Sequence, residues 1–190
     1  MILLTKEYNP DLLKLGEYNE NRATFFYPIG IDEYTKLRIQ TPIMIIPFEP
    51  SERKTKEGEI FIKNISLAMN NNTKVRSFQE KIEKTDKKIQ ELLPEILKTK
   101  EFSSTLWKSK NGNYEPTMKV AIPYKDGHCC SSVFNKQNEK ISDEEIQKGI
   151  RGSAILKLDN LWVWKDKVGI NWTVDQFKIQ PQNTIKFRED

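Results

Sequence analysis

Histidine is almost missing from this chain. His128 stands alone, which removes any site built on two or more imidazole ligands. Cysteine is nearly as scarce. The two cysteines, Cys129 and Cys130, are adjacent, so the C-x-x-C spacing of metal and redox sites is missing. Neighbouring residues on a strand point to opposite faces. His128, Cys129 and Cys130 therefore cannot converge on one ion, an ordinary disulfide between the two thiols is sterically disfavoured, and a Cys–His nucleophilic pair would have poor geometry. Both thiols are expected reduced, in an intracellular protein. There is no Walker-type loop and no G-x-G-x-x-G. Acidic residues are plentiful, but they fall in lysine-mixed stretches without the apolar setting that tunes a catalytic carboxylate. No catalysis, cofactor or metal is expected. A nuclease built on scattered Asp and Glu is the one enzyme reading left. No apolar run approaches the length of a membrane span. The N-terminal stretch MILLTKEYNPDLLKLGEYNENR has a short apolar patch but neither a basic leader nor a cleavage-site pattern, so no signal peptide and no membrane partner are expected.

What is present is a modest core with much solvated periphery. Hydrophobic residues make up 37% of the 190 and charged residues 31%. Aromatics at 10% set the chain apart from disordered sequences, which lack them. The formal net charge is only +4. That excludes a histone-like, polybasic mode of binding but permits a locally basic groove, because the local field counts for more than the total.

Residues 1–22 read as an N-terminal arm, with Asn9-Pro10-Asp11 starting a short helical turn through Leu12, Leu13 and Leu15. Residues 23–190 read as one domain. Lys36–Phe48 is strand-like but interrupted by prolines, which confines it to edge or bulged pairing. Glu49–Glu59 reads as a loop and Ile60–Met69 as the next strand, together a hairpin extension. A helical insertion follows over about 74–100, with an apolar stripe at Val75, Phe78, Ile82, Ile89, Leu92, Leu93, Ile96 and Leu97 and a kink or break at Pro94. Its lysines, Lys81, Lys84, Lys87 and Lys88, are interleaved with acids and read as a solvated face. The last third returns to strands, punctuated by Asn111-Gly112 and Lys125-Asp126-Gly127 turns and by a capped helical turn at Ser142. The fold class expected is β-rich α+β: an OB-like five-stranded barrel with a β-hairpin extension and an inserted helical segment.

Three of the four tryptophans lie in GSAILKLDNLWVWKDKVGINWTVDQFKIQ (Gly152–Gln180), a hairpin with lysines between and beside them. Aromatic faces set among cations can stack bases while tracking phosphates, which points to single-stranded nucleic acid; a hairpin whose tryptophans fill a core is the plain alternative. Strict alternation puts Ile170, Trp172, Val174, Gln176 and Lys178 on one face, and Trp162 with Trp164 opposite Leu161 and Val163. Trp172 and Val174 are expected in the core, and Trp162 or Trp164 toward a groove beside Lys165 and Lys167. Further aromatic–cation neighbours are Trp107 with Lys108 and Lys110, Tyr124 with Lys125, and Phe134 with Lys136. Each pair alone is incidental chemistry; their concentration in the β-rich C-terminal half is the signal. Lys119 and Lys178 complete the candidate nucleic-acid-binding set.

The segments IQTPIMIIPF (Ile39–Phe48), MKVAIPYKDG (Met118–Gly127) and KGIRGSAILKLDNLWVWKDKVGINWTVDQFKI (Lys148–Ile179) carry a resemblance. Their order, and above all Gly169, Ile170, Trp172, Val174 and Gln176 as G-(I/L)-x-W-x-V-x-Q, resembles the OB-fold single-stranded-DNA-binding proteins of the nucleo-cytoplasmic large DNA viruses. The resemblance spans about Ile39–Ile179. It implies sequence-independent coating of single strands in viral DNA replication, recombination or repair. Implied with it are viral replication proteins as partners, and the host cytoplasm, a viral replication factory or the virion as the place of action. The arm has no counterpart in that pattern, and with the sequence ending at Asp190 no partner-binding tail is expected. The residues leave DNA and RNA undistinguished. A homo-oligomer fits cooperative coating, although no heptad supports one. The rival reading is a viral assembly protein that uses the aromatic hairpin as a protein interface.

Overall fold

Two strands of 14 residues each, Arg151–Trp164 and Lys167–Gln180, form the frame on which the rest is hung. Only Lys165 and Asp166 separate them, with Lys165 at a φ of 54°, so the turn is a tight two-residue one. The structure, a computed structural model, describes residues 2–16, 25–30 (as strand backbone) and 36–180; residues 17–22 of the expected arm and the chain end at 187–190 lie outside that set.

In chain order, β1 (Leu3–Leu4) and β2 (Lys14–Leu15) flank a 3-10 turn at Pro10–Leu12, and β3 (Phe25–Gly30), β4 (Arg38–Gln40) and β5 (Met44–Ile45) follow. Strands β6 (Ser51–Lys54) and β7 (Ile60–Ala68) make a hairpin, and α1 (Thr73–Leu92) and α2 (Glu95–Lys98) form the helical segment. Then come β8 (Glu101–Ser103), β9 (Leu106–Trp107), β10 (Thr117–Lys125), β11 (His128–Cys129), β12 (Ser132–Phe134) and β13 (Lys140–Ile141). The long pair is β14 (Arg151–Trp164) and β15 (Lys167–Gln180). The sheet runs β1-β4-β14-β15-β10-β7-β6, with β3 and β5 also paired to β14, and β8 and β12 to β15. The expected β-rich α+β class, OB-like and with an inserted helical segment, is what the structure has.

Helix α1 begins where Asn72 accepts a hydrogen bond from the Lys74 N–H at 2.9 Å, satisfying one of the donors a helix start leaves open. It stops before Pro94, which serves as the cap residue of α2. Val75, Phe78, Ile82 and Ile89 are buried on its inner face, as the apolar spacing requires; Ile96, counted in that stripe, is instead 76% exposed. Two polar staples hold the helix. The carboxylate of Asp86 accepts from Ser104 Oγ at 2.9 Å and from the Thr105 N–H at 2.8 Å. Thr85 Oγ1 meets the buried hydroxyl of Tyr8 at 2.7 Å. Residues 2–16 thus run against α1 and, through β1, along β4.

One connection differs from the reading of the sequence. Glu49–Glu59 is not all loop: Ser51–Lys54 is a strand, fully exposed, and the connection narrows to the turn containing Gly58 at φ 91°. Polarity hid it, because an edge strand need not alternate. Asn111-Gly112 is a turn, as expected: Gly112 has a φ of 67° and its N–H donates to the Ser109 carbonyl at 3.2 Å, within the loop that connects the antiparallel β9 and β10. Lys125-Asp126-Gly127 does what was expected. Asp126 and Gly127 both have positive φ, the requirement of a type I′ hairpin turn, and Lys125 pairs with His128.

Candidate nucleic-acid interface

The β14–β15 ribbon has two slips of register. Ile155 pairs with Gln176 but Leu156 with Val174, which leaves Asp175 as an extra residue; Leu158 pairs with Trp172 but Asn160 with Asn171, which leaves Asp159 extra. Each bulge shifts the alternation by one. On β14 the buried row is Ala154, Leu156, Leu158, then Leu161 and Val163; on β15 it is Val168, Ile170, Trp172, Val174, then Phe177. Trp172 and Val174 fill the core, as expected. Gln176 and Lys178 do not share their side. The bulge at Asp175 carries them to the outer face and sends Phe177 inward, against the strict alternation of the sequence reading.

The outer face of this ribbon therefore carries, from one end to the other, Ser153 opposite Lys178, Ile155 opposite Gln176, Lys157 opposite Thr173, Asn160 opposite Asn171, Trp162 opposite Gly169 and Trp164 opposite Lys167. On one flank, β4 lays Gln40 beside Ile155 and Arg38 beside Lys157. On the other, β12 lays Ser132 beside Gln176 and Phe134 beside Lys178. An open groove of about 230 Å³ lies here, lined by Gln40, Phe134, Asn138, Ser153, Ala154, Ile155, Gln176 and Lys178.

The carboxylates on this face are matched by cations. Arg38 Nε donates to Asp175 at 2.8 Å and Lys36 Nζ to Asp159 at 2.8 Å, with Lys157 Nζ 3.6 Å from the same oxygen. Lys178 donates to the neutral amide oxygen of Asn138, which holds the ammonium at the groove without cancelling its charge. A floor of Ile155 and Phe134, bordered by amides and an unneutralised ammonium, offers a face for a base and a charge for a phosphate.

Toward the turn the same face becomes aromatic. Trp164 is 60% exposed, and Lys165 Nζ stands 4.5 Å from the centre of its ring, within cation–π range. Trp162 is half-buried and lies over Gly169. A Cβ on Gly169 would sit 2.5 Å from Trp162 Cζ2, so only glycine fits beneath the indole. Lys167 pairs with Glu101 at 3.5 Å. The turn itself is pinned by Lys100, which donates to the Lys165 carbonyl, and by the Glu101 N–H, which donates to the Asp166 carbonyl at 2.8 Å.

The remaining candidates scatter. Trp107 is 54% exposed, while its neighbour Leu106 is in the core. Lys119 is exposed and one strand away from the ribbon, two residues from Ala121, which pairs with Thr173. Lys108 pairs with Glu83 of α1 at 3.0 Å rather than turning to the ribbon. Lys110 and Lys136 are exposed in loops and turns, and Lys125 is exposed at the end of β10. Tyr124 follows the inward row of Met118, Val120 and Ile122, so it is not beside Phe134. Its hydroxyl hydrogen-bonds Asp143, and Lys63 Nζ, 5.8 Å from its ring centre, reaches the same carboxylate at 2.6 Å. Burial by itself raises the Asp143 carboxyl, but the hydrogen bonds from Lys63 and Tyr124 outweigh it and hold the group below its ordinary value. The same neighbourhood, burial first and then Asp143, drives the Tyr124 hydroxyl well above its usual range. Arg38, Gln40, Asn138, Ser153, Ile155 and Lys157 were not singled out from sequence, and Gln176 was named there only in the motif and on the face of Trp172, not as a binding residue. The signal for Gln176 was the gap from Val174 to Phe177 in the apolar series.

No protein-family model matches the chain, and no curated protein matches it in sequence. Among solved structures it is similar in fold to the single-stranded DNA-binding protein of bacteriophage Enc34 in complex with ssDNA, with a TM-score of 0.51 and 12% identity over 90% of this chain and 97% of that one. A C-terminal truncation of the phage protein gives a TM-score of 0.52 and 13% identity over 90% and 96%. The two share a fold. At such identity the likeness carries no residue across, and the site rests on the geometry above.

Proposed function

We propose that the chain binds single-stranded DNA without regard to sequence, along the outer face of the β14–β15 ribbon. The observation that carries this reading is the groove beside Phe134 and Lys178, continuous along one face with Trp162 and Trp164, where the two strand carboxylates, Asp159 and Asp175, are ion-paired. A ribbon of 14 residues at about 3.3 Å each is roughly 45 Å long, room for several nucleotides in line. The whole-length likeness in fold to a phage protein solved with single-stranded DNA supports the same reading. Lysines such as Lys178 neutralise phosphates and release counterions; Phe134 and Trp164 take the faces of unpaired bases. The binding is non-catalytic, and its place is the replication, recombination or repair of a viral genome, in a large DNA virus, within the host cytoplasm and its replication factories.

Titration with an oligothymidine, followed by tryptophan fluorescence, tests this. Quenching is expected, with affinity that falls steeply as salt rises and with weaker binding to duplex, whose bases offer no free faces. An unchanged spectrum with no retardation of the oligonucleotide overturns the reading and favours an aromatic protein interface. Cleavage of labelled DNA in magnesium or manganese would make the chain a nuclease.

A further inference from the structure

Ile155 has a glutamine on either side. Gln40 on β4 and Gln176 on β15 are its two cross-strand neighbours, and strands lie about 4.8 Å apart, so the two amides flank one apolar patch from opposite edges. Both side chains are exposed, and neither amide has a hydrogen-bond partner among the described residues. Gln176 is in this position only because of the bulge at Asp175; unbroken alternation would have put it on the side of Trp172 and Val174. Bulges re-aim single side chains beside functional sites. The groove they border, about 230 Å³, is smaller than the ~300–1,000 Å³ of pockets for drug-sized ligands and has room for one base.

Resting on the single-stranded-DNA reading, we infer that this groove is a clamp for one unpaired base: Gln40 and Gln176 grip its edges over Ile155 and Phe134, so binding requires a base there but is indifferent to which. The chemistry follows from the amide. A glutamine carries a donor and an acceptor side by side, and half a turn about its last bond exchanges them. The pairing edge of every base also presents donors and acceptors side by side, so a rotatable amide meets each of them. A carboxylate, which only accepts, or an ammonium, which only donates, would favour some bases over others. Lys178, steered by Asn138, is two residues along the strand from Gln176, next on the same face, and takes the adjoining phosphate.

The test uses the full chain with three homo-oligonucleotides (dT, dA and dC) and a strand of the same length made of abasic spacers. Gln40→Leu and Gln176→Leu keep side-chain bulk and remove the amide; both positions face solvent, and an unshifted thermal unfolding curve checks that the fold is kept. Each variant is expected to weaken binding to all three homo-oligonucleotides by a similar factor, about three- to tenfold as for loss of one hydrogen bond, and to leave binding to the abasic strand unchanged. Equal losses on the abasic strand would assign the glutamines to the backbone and overturn the clamp. A loss confined to one base would make the groove a sequence reader and overturn the indifference. Wild-type protein that binds none of the strands would bring down the functional reading itself, a result distinct from either.

Discussion

The indole of Trp162 occupies the space where any side chain on Gly169 would have to begin: a Cβ there falls 2.5 Å from Cζ2 and 2.7 Å from Cε2 of the ring. The two residues face each other across the ribbon, and the ring covers backbone that a bare glycine would leave open to water. Gly169→Ala is therefore expected to push Trp162 off the sheet and cost about 1–3 kcal/mol, the range of overpacked sites. Urea unfolding measures it. In a Trp162→Ala background the same change should cost little, because the clash is gone, so a double-mutant cycle reads the coupling directly. Additive losses would mean that the ring and the glycine do not bear on each other.

Phe134 lines the groove and Tyr124 does not. Phe134→Ala removes a ring from the groove floor, and base stacking is worth about 1–3 kcal/mol. Affinity for an oligothymidine should thus fall roughly tenfold to a hundredfold while stability changes little. Tyr124→Phe should do the reverse. It deletes the hydroxyl that serves Asp143 and lowers stability without changing affinity. Equal affinity loss in both variants would place the strand elsewhere on the barrel.

That contrast was not visible in the sequence, and the reason is physical. Tyr124-Lys125 and Phe134-Lys136 look alike as neighbours in a chain. Only the pairing of Phe134 with Lys178 and the inward phase of Met118, Val120, Ile122 and Tyr124 set them apart. The helix was legible because its signals are local: the apolar stripe and Pro94 at the break. The long hairpin was legible for the same reason, and so was the burial of Trp172. The bulges were not, since an extra residue is defined by the partner strand that skips it. A phase change in the apolar series at Asp159-Asn160 and again at Asp175-Gln176 was their only local trace. Missing it moved Gln176 and Lys178 to the wrong face.

Stability should respond to acid through Asp143. Its carboxyl, raised by burial but lowered further by Lys63 and Tyr124, has a folded-state value below the 3.8 of the unfolded chain. Such a group binds fewer protons folded than unfolded, so its stabilisation is complete above 3.8 and is lost as pH falls through the folded value. Asp143→Asn should be less stable than wild type at neutral pH, and the gap should close as pH falls below 3.8 and through the folded-state value. Asp86 acts with the opposite sign: burial outweighs its three hydrogen bonds and raises its carboxyl, which favours the fold on the acid side. Comparing the variant with wild type at each pH cancels that opposing trend. A gap that stays constant with pH would mean that Asp143 matters for its shape and not for its charge.

Lys178 and Lys108 make a controlled pair for the electrostatics of binding. Both are lysines of the C-terminal half, yet Lys178 is held at the groove by a neutral amide and Lys108 is neutralised by Glu83 on the helix. Each phosphate contact on a single strand contributes about −0.7 to the slope of log affinity against log salt. Lys178→Gln should therefore weaken binding in low salt and make the slope shallower by about that amount, so the variant and wild type converge as salt rises. Lys108→Gln should leave the slope where it was. Measuring both slopes on one oligothymidine decides the matter. If the Lys108 variant loses slope and the Lys178 variant keeps it, the phosphates run past the loop between β9 and β10, and the outer face of the ribbon is not the track.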